Sequence, residues 1–247
     1  MPTRIPRPRR VTLSSPAVLL LPGMMLDRRM YARQWAALSG RKEVVVGDTT
    51  RSDTIAGIAL DVLRDAPARF ALVGLSMGGI VAFEIWRRAR DRVTHLALLD
   101  TTPHVDRPER QQLRLEQIAT VETGKLREVL VSSMKPLYLA QKNRGNQHLL
   151  KQILDMALAF GPDVFKRQSL ALRDRPDSNA TLPTIDVPSL VLCGREDALC
   201  PVDFHATMAA SMPRADFVVL AECGHLSAME EPAAVTAALR RLLSRSS

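Results

Sequence analysis

Short apolar segments alternate with amphipathic helical segments along most of this chain, and this alternation limits the possible folds more than any other feature. Six segments have the length and composition of buried strands: residues 17–21, 44–46, 70–73, 93–99, 189–192 and 217–220. Apolar residues at helical spacing lie between them, as in residues 55–63 and 78–90. Strands that alternate with helices form a parallel sheet covered on both faces. We therefore predict an α/β fold with a mostly parallel, doubly wound sheet.

The alternation is interrupted between residues 103 and 187, where helical patterns continue without a convincing strand. Ligands bind at the carboxyl ends of the strands in open α/β sheets, and the loops at that edge accept insertions. We therefore predict a core formed by residues 11–102 and 183–247, with an all-helical lid formed by residues 103–182. Residues 1–10 contain four arginines and three prolines, and we predict that they form a flexible basic arm.

The net charge of +8 first suggests a nucleic-acid partner, but the distribution of the charge does not support one. Arginines concentrate at the two ends of the chain, without a basic face interleaved with aromatic residues. No apolar run approaches the ~18 residues of a membrane-spanning helix. We therefore predict neither a nucleic-acid nor a membrane partner, and a homo-oligomer remains open. The odd number of cysteines, three, disfavours a disulfide framework and predicts a cytoplasmic protein.

Residues 74–78, Gly-Leu-Ser-Met-Gly, lie between the third predicted strand and the helix that follows it. In this context, a G-x-S-x-G motif holds its serine on a sharp turn, with the hydroxyl projecting above the sheet. Gly74 and Gly78 leave room for the strained turn. The turn also directs the Met77 N–H and the helix N-terminus towards a developing oxyanion. Ser76 is therefore the predicted nucleophile, and the Met77 N–H is a predicted oxyanion donor.

A serine nucleophile needs a base, and His225 is the best placed of the five histidines. It follows the last predicted strand, at the same sheet edge as the serine. The other histidines are expected to be packed in a strand (His95) or to be surface or lid residues (His104, His148 and His205). Asp197 follows the fifth strand and is predicted to orient His225. Asp100, at the end of the fourth strand, and Glu196 remain alternatives, and Asp100 would otherwise cap a loop.

The order Ser76, Asp197, His225 resembles that of the α/β-hydrolase superfamily. The resemblance covers about residues 16–102 and 186–245. It rests on the turn around Ser76, on Gly-Arg-Glu-Asp at 194–197 and on Gly-His-Leu-Ser-Ala-Met-Glu-Glu-Pro at 224–232. It implies a Ser-Asp-His hydrolase with a helical lid, similar to esterases and lactonases. Residues 20–24 resemble the oxyanion segment, which implies that the Met24 N–H is the second donor, with the Met25 N–H as the alternative.

The resemblance also implies a reaction: the cleavage of a small or medium apolar carboxylic ester, lactone or thioester through an acyl-enzyme on Ser76. A small acyl substrate is then the expected partner. No phosphate-binding motif or metal-ligand cluster is recognisable, so we predict no metal and no cofactor. An apolar pocket needs flexible apolar side chains, and the predicted substrate-binding residues are Met25, Met134, Tyr138, Phe160 and Met229. A ligand-binding receptor, or an enzyme of peroxide or carbon–carbon chemistry, remains an alternative.

Overall fold

Six parallel strands form one sheet in a computed structural model, which describes residues 16–134 and 138–246 but not the side chains of Ser133 and Met134. The strands are β1 (Ala17–Leu21), β2 (Val44–Val46), β3 (Phe70–Leu75), β4 (Val93–Leu99), β5 (Ser189–Gly194) and β6 (Ala215–Leu220). Their order across the sheet is β2-β1-β3-β4-β5-β6, and every neighbouring pair is parallel. The predicted α/β fold is confirmed. The predicted arm at residues 1–10 lies outside the described residues.

Helices connect the strands and cover the sheet. They are α1 (Ala32–Leu38), α2 (Ile55–Asp65), α3 (Met77–Ala89), α4 (Pro108–Glu122), α5 (Leu126–Val129), α6 (Gln147–Arg173), α7 (Val202–Ala210), α8 (Ser227–Glu230) and α9 (Pro232–Leu243). The local sequence explains several helix boundaries. The Thr54 side chain accepts the Gly57 N–H at the start of α2, and proline occupies the first turn of both α4 and α9. None of these described helices is long and apolar enough to cross a membrane.

The two faces of the sheet contribute to two separate apolar clusters, because successive side chains of a strand point to opposite faces. Leu19 and Leu72 pack in one cluster with residues of α2 and α3. Leu20 and Val73 pack in the other cluster with residues of α1 and α9. All residues of β1 and β3 are buried, which explains why these strands appear in the sequence as continuous apolar runs.

The direction of the strand order reverses between β1 and β3. From β1 the chain moves outwards to β2, and from β3 it moves the other way, so the loops that follow these two neighbouring strands diverge. Such a switch point opens a crevice at the carboxyl edge of the sheet. Leu21 pairs with Gly74 in the parallel register. This register brings the segment after β1 against the turn after β3, and a Cβ built on Gly23 would lie 3.5 Å from the Cβ of Ser76.

Between β4 and β5, the described residues form helices and turns only. This helical segment contains α4, α5 and α6, with shorter helical turns at Leu130–Met134, Gln141–Asn143 and Asn179–Thr184. Gly161 has a φ of 76° and interrupts α6 just before Pro162, as expected where a helix meets a proline. The boundaries that we predict for the core and for a lid remain predictions.

Gly78 offers a test of the close contact between β1 and α3, because a Cβ on Gly78 would lie 2.1 Å from the carbonyl oxygen of Leu21. Backbone atoms on both sides cannot move away cheaply. We expect Gly78→Ala to lower the free energy of unfolding by about 1–3 kcal/mol, measured by urea denaturation. The control is Gly145→Ala, where the added Cβ meets nothing within 4 Å. Equal stability of the two variants would contradict the close contact.

Candidate active site

Ser76 lies on a sharp turn between β3 and α3, in the strained left-handed region with a φ of 54°. Hydrogen bonds hold this turn on both sides. The Ser76 N–H donates to Leu99 O at 2.9 Å, and the Thr101 hydroxyl donates to Ser76 O at 2.7 Å. A Cβ on Gly74 would lie 2.3 Å from Gly78 O, so the turn requires glycine there. The motif therefore fixes the position of the serine by backbone packing.

His225 connects Ser76 to Asp197. Its Nε2 lies 2.8 Å from Ser76 Oγ, and its Nδ1 lies 2.9 and 2.8 Å from the two carboxylate oxygens of Asp197. Because a carboxylate only accepts, Nδ1 carries the proton and Nε2 is free to accept the serine hydroxyl. The His225 N–H donates to Tyr138 O at 2.8 Å, which anchors the loop that carries the ring. The structure thus brings together the three residues that the sequence predicts as a triad.

Neither alternative to Asp197 contacts the His225 ring. Asp100 is fully buried and accepts hydrogen bonds from the N–H groups of Gly194 and Ser227, at 3.2 and 3.0 Å. It therefore connects the loops that follow β5 and β6, which agrees with the loop-capping role that we considered for it. Glu196 accepts from the Gln141 N–H at 2.7 Å. The geometry leaves Asp197 as the carboxylate that orients the ring.

The charges of the site favour an ionised Asp197. Burial alone would lower the pKa of His225, but the charge and hydrogen bond of Asp197 outweigh it, so the His225 pKa lies above its ordinary value. Burial alone would raise the pKa of Asp197, but His225 and the N–H groups of Cys200 and Leu199 lower it below its ordinary value. Burial, together with the charge of Asp197, raises the pKa of Asp100 to about 8. Of these two buried carboxyl groups, Asp197 is therefore the more acidic and is the one that favours the negative charge.

Two backbone N–H groups near Ser76 are available to a ligand. Those of Met77 and Met24 donate to no acceptor among residues 16–134 and 138–246. The Met25 N–H, the alternative donor in the sequence analysis, already donates to Gln168 Oε1 at 2.8 Å. Gln168 also donates to Thr49 O at 3.1 Å. A buried glutamine of α6 thereby fixes the segment that contains Met24.

Gln168 was missed in the sequence analysis, although a signal was present. It occupies the position between Phe165 and Leu172 on the buried stripe of α6. A polar residue on such a stripe must find hydrogen-bond partners inside the protein. The sequence could therefore have shown that Gln168 is bonded, but not that its partner is the segment after β1.

The predicted substrate-binding residues lie in different surroundings. Tyr138 lines the pocket that contains Ser76 and His225, and it shares a smaller apolar pocket with Met25. Phe160 and Met229 pack against the two apolar clusters and are not among the residues that line these pockets. The Met134 side chain lies outside the described part of the chain.

A wider cleft of about 670 Å³ opens beside Ser76 and His225, and its lining is more charged than the sequence analysis expected. Four arginines and two aspartates line it, together with apolar residues: Arg107, Arg110, Arg114, Arg175, Asp106 and Asp177. The sequence analysis predicted an apolar lining and identified none of these six residues.

The other histidines do not contact Ser76. His95 is buried in β4, as expected. The expectation that His205 is a surface or lid residue is wrong, because it is fully buried on α7 and its Nε2 accepts the Thr101 N–H at 2.9 Å. His104 packs edge-on against Phe204, with 4.9 Å between ring centroids. His225 is therefore the histidine that the fold presents to the serine.

One group of side chains in the described ranges has metal-ligand chemistry: atoms of Asp197, Cys200 and His225 lie within 4.8 Å of one another. A metal there would need a Cys200 thiolate. Burial raises the pKa of Cys200 well above its ordinary value, and both Asp197 oxygens already accept from His225. The group therefore fits a hydrogen-bonded acid–base pair better than a metal site. All three cysteines are free and buried.

Comparisons with known proteins identify the family and the fold. Residues 18–239 match the model of the alpha/beta hydrolase family. The structure is similar to that of a thermophilic esterase from Thermogutta terrifontis, solved with malate bound (31% identity, TM-score 0.83, 93% of this chain and 90% of that one). It is also similar in fold to an enol-lactonase from Burkholderia xenovorans LB400 (24% identity, TM-score 0.81, 94% and 92% of the two chains).

A relative known by sequence is the pimeloyl-[acyl-carrier protein] methyl ester esterase of Nitrosomonas europaea. It is 25% identical over 194 residues, which cover 70% of this chain and 71% of the relative. The family model matches most of the chain, and the similarity to the Thermogutta esterase extends over nearly all of it. The chain therefore belongs to the alpha/beta hydrolase family.

Proposed function

We propose that this protein is a serine hydrolase that cleaves a small or medium carboxylic ester, lactone or thioester through an acyl-enzyme on Ser76. The observation that carries the proposal is the continuous chain of hydrogen bonds from Ser76 Oγ through His225 to Asp197. Relatives named as an esterase and a methyl ester esterase support ester-like bonds as the substrate class.

In the first step, His225 Nε2 accepts the Ser76 proton while Oγ attacks the carbonyl carbon. Asp197 stabilises the imidazolium that forms, because its charge and hydrogen bond favour the protonated ring. The carbonyl oxygen becomes an oxyanion, which the N–H groups of Met77 and Met24 stabilise. One such donor typically lowers the barrier by ~3 kcal/mol.

In the second step, the oxyanion collapses and the bond to the leaving group breaks. The imidazolium gives its proton to the leaving group, which departs as an alcohol from an ester or as a thiol from a thioester. The acyl group stays on Ser76. Water then enters, His225 takes one of its protons, and the resulting attack releases the carboxylic acid. Ser76 regains its proton from His225, so the cycle consumes only substrate and water.

The alternatives raised by the sequence have less support. A receptor needs a cleft, but it does not need a serine, a histidine and a carboxylate in hydrogen-bonded series at a strained turn. Peroxide or carbon–carbon chemistry would use the same three groups, yet no described residue favours either reaction. A cytoplasmic location and the absence of a nucleic-acid partner remain predictions.

Replacement of the nucleophile is the decisive experiment. We expect Ser76→Ala to lower turnover of p-nitrophenyl esters of increasing acyl length, of a lactone and of an acyl thioester by roughly 10³-fold or more. It should also abolish covalent labelling by a fluorophosphonate probe. Ser211→Ala, which changes a serine at the end of α7, is the matched control. Labelling that persists in Ser76→Ala would disprove the assignment of the nucleophile.

The pH profile tests the roles of His225 and Asp197. The base must be neutral, so kcat/KM should rise with pH, and because the pKa of His225 is raised, its midpoint should lie above 6.5. We expect Asp197→Asn to move the midpoint to lower pH, because the charge that raises the pKa is removed. The plateau should fall by roughly 10³–10⁴-fold, because the ring loses its orientation.

The control for this experiment is Glu196→Gln, which removes a neighbouring carboxylate that bonds Gln141 instead of His225. It should leave the midpoint of the profile in place. A midpoint that stays fixed in Asp197→Asn, or moves equally in both variants, would contradict the pairing of Asp197 with His225.

Gln168 is expected to position the oxyanion segment. Gln168→Leu removes the acceptor of the Met25 N–H and the donor to Thr49 O, which frees the Met24 N–H to move. We expect kcat to fall about tenfold, equivalent to roughly 1.4 kcal/mol of barrier, with a smaller change in KM. Gln152→Leu, at an exposed position of the same helix, is the control. An unchanged kcat in folded Gln168→Leu protein would show that this bond does not position the donor.

A further inference from the structure

The cleft beside Ser76 has one strongly cationic wall. Arg110 and Arg114 extend from α4, and Arg175 follows α6. Arg110 and Arg114 also line the narrower pocket that contains Ser76 and His225, so the cationic wall reaches the nucleophile. A substrate that enters the pocket of Ser76 therefore meets Arg110 and Arg114 in its lining.

Two of the three guanidinium groups are already engaged. The Asp106 carboxylate lies between them, 2.5 Å from Arg114 Nε and 2.7 Å from Arg175 Nη1. Arg175 also donates to His104 O at 2.7 Å. Asp177, the other carboxylate of the cleft, accepts from the backbone and side chain of Asn179. Neither carboxylate forms an ion pair with Arg110.

Arg110 is half-buried, and its guanidinium has no acceptor among residues 16–134 and 138–246. The positive charge of Arg110 affects the pKa of Arg114 and of Arg175. Burial lowers the pKa of both Arg114 and Arg175, and the Asp106 carboxylate raises both values. The positive charge of Arg110 contributes a further lowering to each. Arg107, which lines the wider cleft only, likewise has no acceptor among residues 16–134 and 138–246. Of the two arginines that line the pocket containing Ser76, Arg114 pairs with Asp106 and Arg110 pairs with no described carboxylate.

The position of Arg110 on its helix adds to the excess of positive charge. It is the third residue of α4, which begins at Pro108. The N-terminus of a helix carries a partial positive charge, so acidic residues are favoured there and a cation is disfavoured. Arg110 departs from this charge preference, and such departures are expected at functional sites. A bound anion would satisfy both the guanidinium and the helix end.

An apolar pocket adjoins the pocket that contains Ser76, and the two share Met24, Leu26 and Tyr138. Met24, Met25, Leu130 and Tyr138 line the adjoining small pocket, together with residues of α6. The pocket that contains Ser76 is therefore lined by both apolar and cationic side chains. A substrate that carries an apolar group and an anionic group near its ester carbonyl would match this lining.

We propose that the substrate is an ester, lactone or thioester with a free carboxylate, and that Arg110 is the specificity residue that binds this carboxylate. A planar guanidinium with free donors suits the bidentate geometry of a carboxylate. Arg114, held by Asp106, extends the positive surface without competing for the same contact. This inference rests on the proposed hydrolase function and narrows its substrate class to compounds that carry a free carboxylate, in place of the apolar substrate that the sequence predicts.

The test compares acidic and neutral substrates of equal chain length. Mono-p-nitrophenyl adipate and suberate are paired with p-nitrophenyl hexanoate and octanoate, and the uncatalysed rate of each is subtracted. We expect the wild type to prefer the acidic member of each pair in kcat/KM. In Arg110→Gln, the acidic-to-neutral ratio should fall tenfold or more, mainly through KM, and Arg110→Lys should restore part of it.

Two controls separate a specific contact from a general effect of charge. Arg41→Gln removes one exposed arginine and should leave the ratio unchanged. Rising salt should lower the ratio in the wild type more than in Arg110→Gln, because screening weakens a charge pair that only the wild type makes. A ratio that is the same in Arg110→Gln and the wild type would overturn the assignment.

A binding measurement keeps the inference testable if no ester is hydrolysed. Adipate should raise the thermal unfolding midpoint of the wild type more than the neutral adipamide does, and this difference should disappear in Arg110→Gln. Turnover of neutral esters without any preference for acidic ones would leave the hydrolase function in place and refute this inference. Adipate binding without turnover of any ester would refute the hydrolase function and support the carboxylate site.

Discussion

The close approach of β1 to the turn after β3 is the contact on which the rest of the site depends. The carbonyl of Leu21 lies where a side chain on Gly78 would be, so the end of β1 rests directly on the first turn of α3. This contact places the segment after β1 beside Ser76. It also explains the strain at Ser76: the backbone around the serine is held from both sides and cannot relax.

Asp100 fixes the positions of the segments that carry the other two residues of the predicted triad, Asp197 and His225. Asp197 and His225 lie in loops that follow β5 and β6. The buried carboxyl group of Asp100, just after β4, accepts the N–H of Gly194 at the end of β5 and the N–H of Ser227 at the start of α8, so it holds both segments. Its raised pKa has a consequence for the base. An ionised Asp100 would hold the His225 proton more tightly. The raised pKa of Asp100 limits this effect, so Asp197 has the larger influence on the charge of the ring.

The sequence predicts the features that depend on local pattern. The strands, the turn at Ser76 and the positions of Asp197 and His225 at strand ends all follow from short segments, because a parallel sheet brings its carboxyl ends to one edge. The cationic wall does not follow in this way. α4 is polar on most of its surface, so its sequence is that of a solvated helix, and the burial of Arg114 against Asp106 depends on packing between distant segments.

The helical segment between β4 and β5 therefore contributes more than a cover. Gln168 of α6 holds the oxyanion segment, while Arg110 and Arg114 of α4 form the cationic wall, and these two helices pack against each other. The triad is set by the sheet and by the loops at its edge, and its chemistry suits many acyl compounds. Selectivity is a difference between competing affinities, so it must come from groups that the reaction itself does not need. In this protein the proposed specificity residue, Arg110, lies on α4, which packs against the helix whose Gln168 bonds the Met25 N–H. We therefore expect a change in the packing of these two helices to affect both substrate choice and turnover.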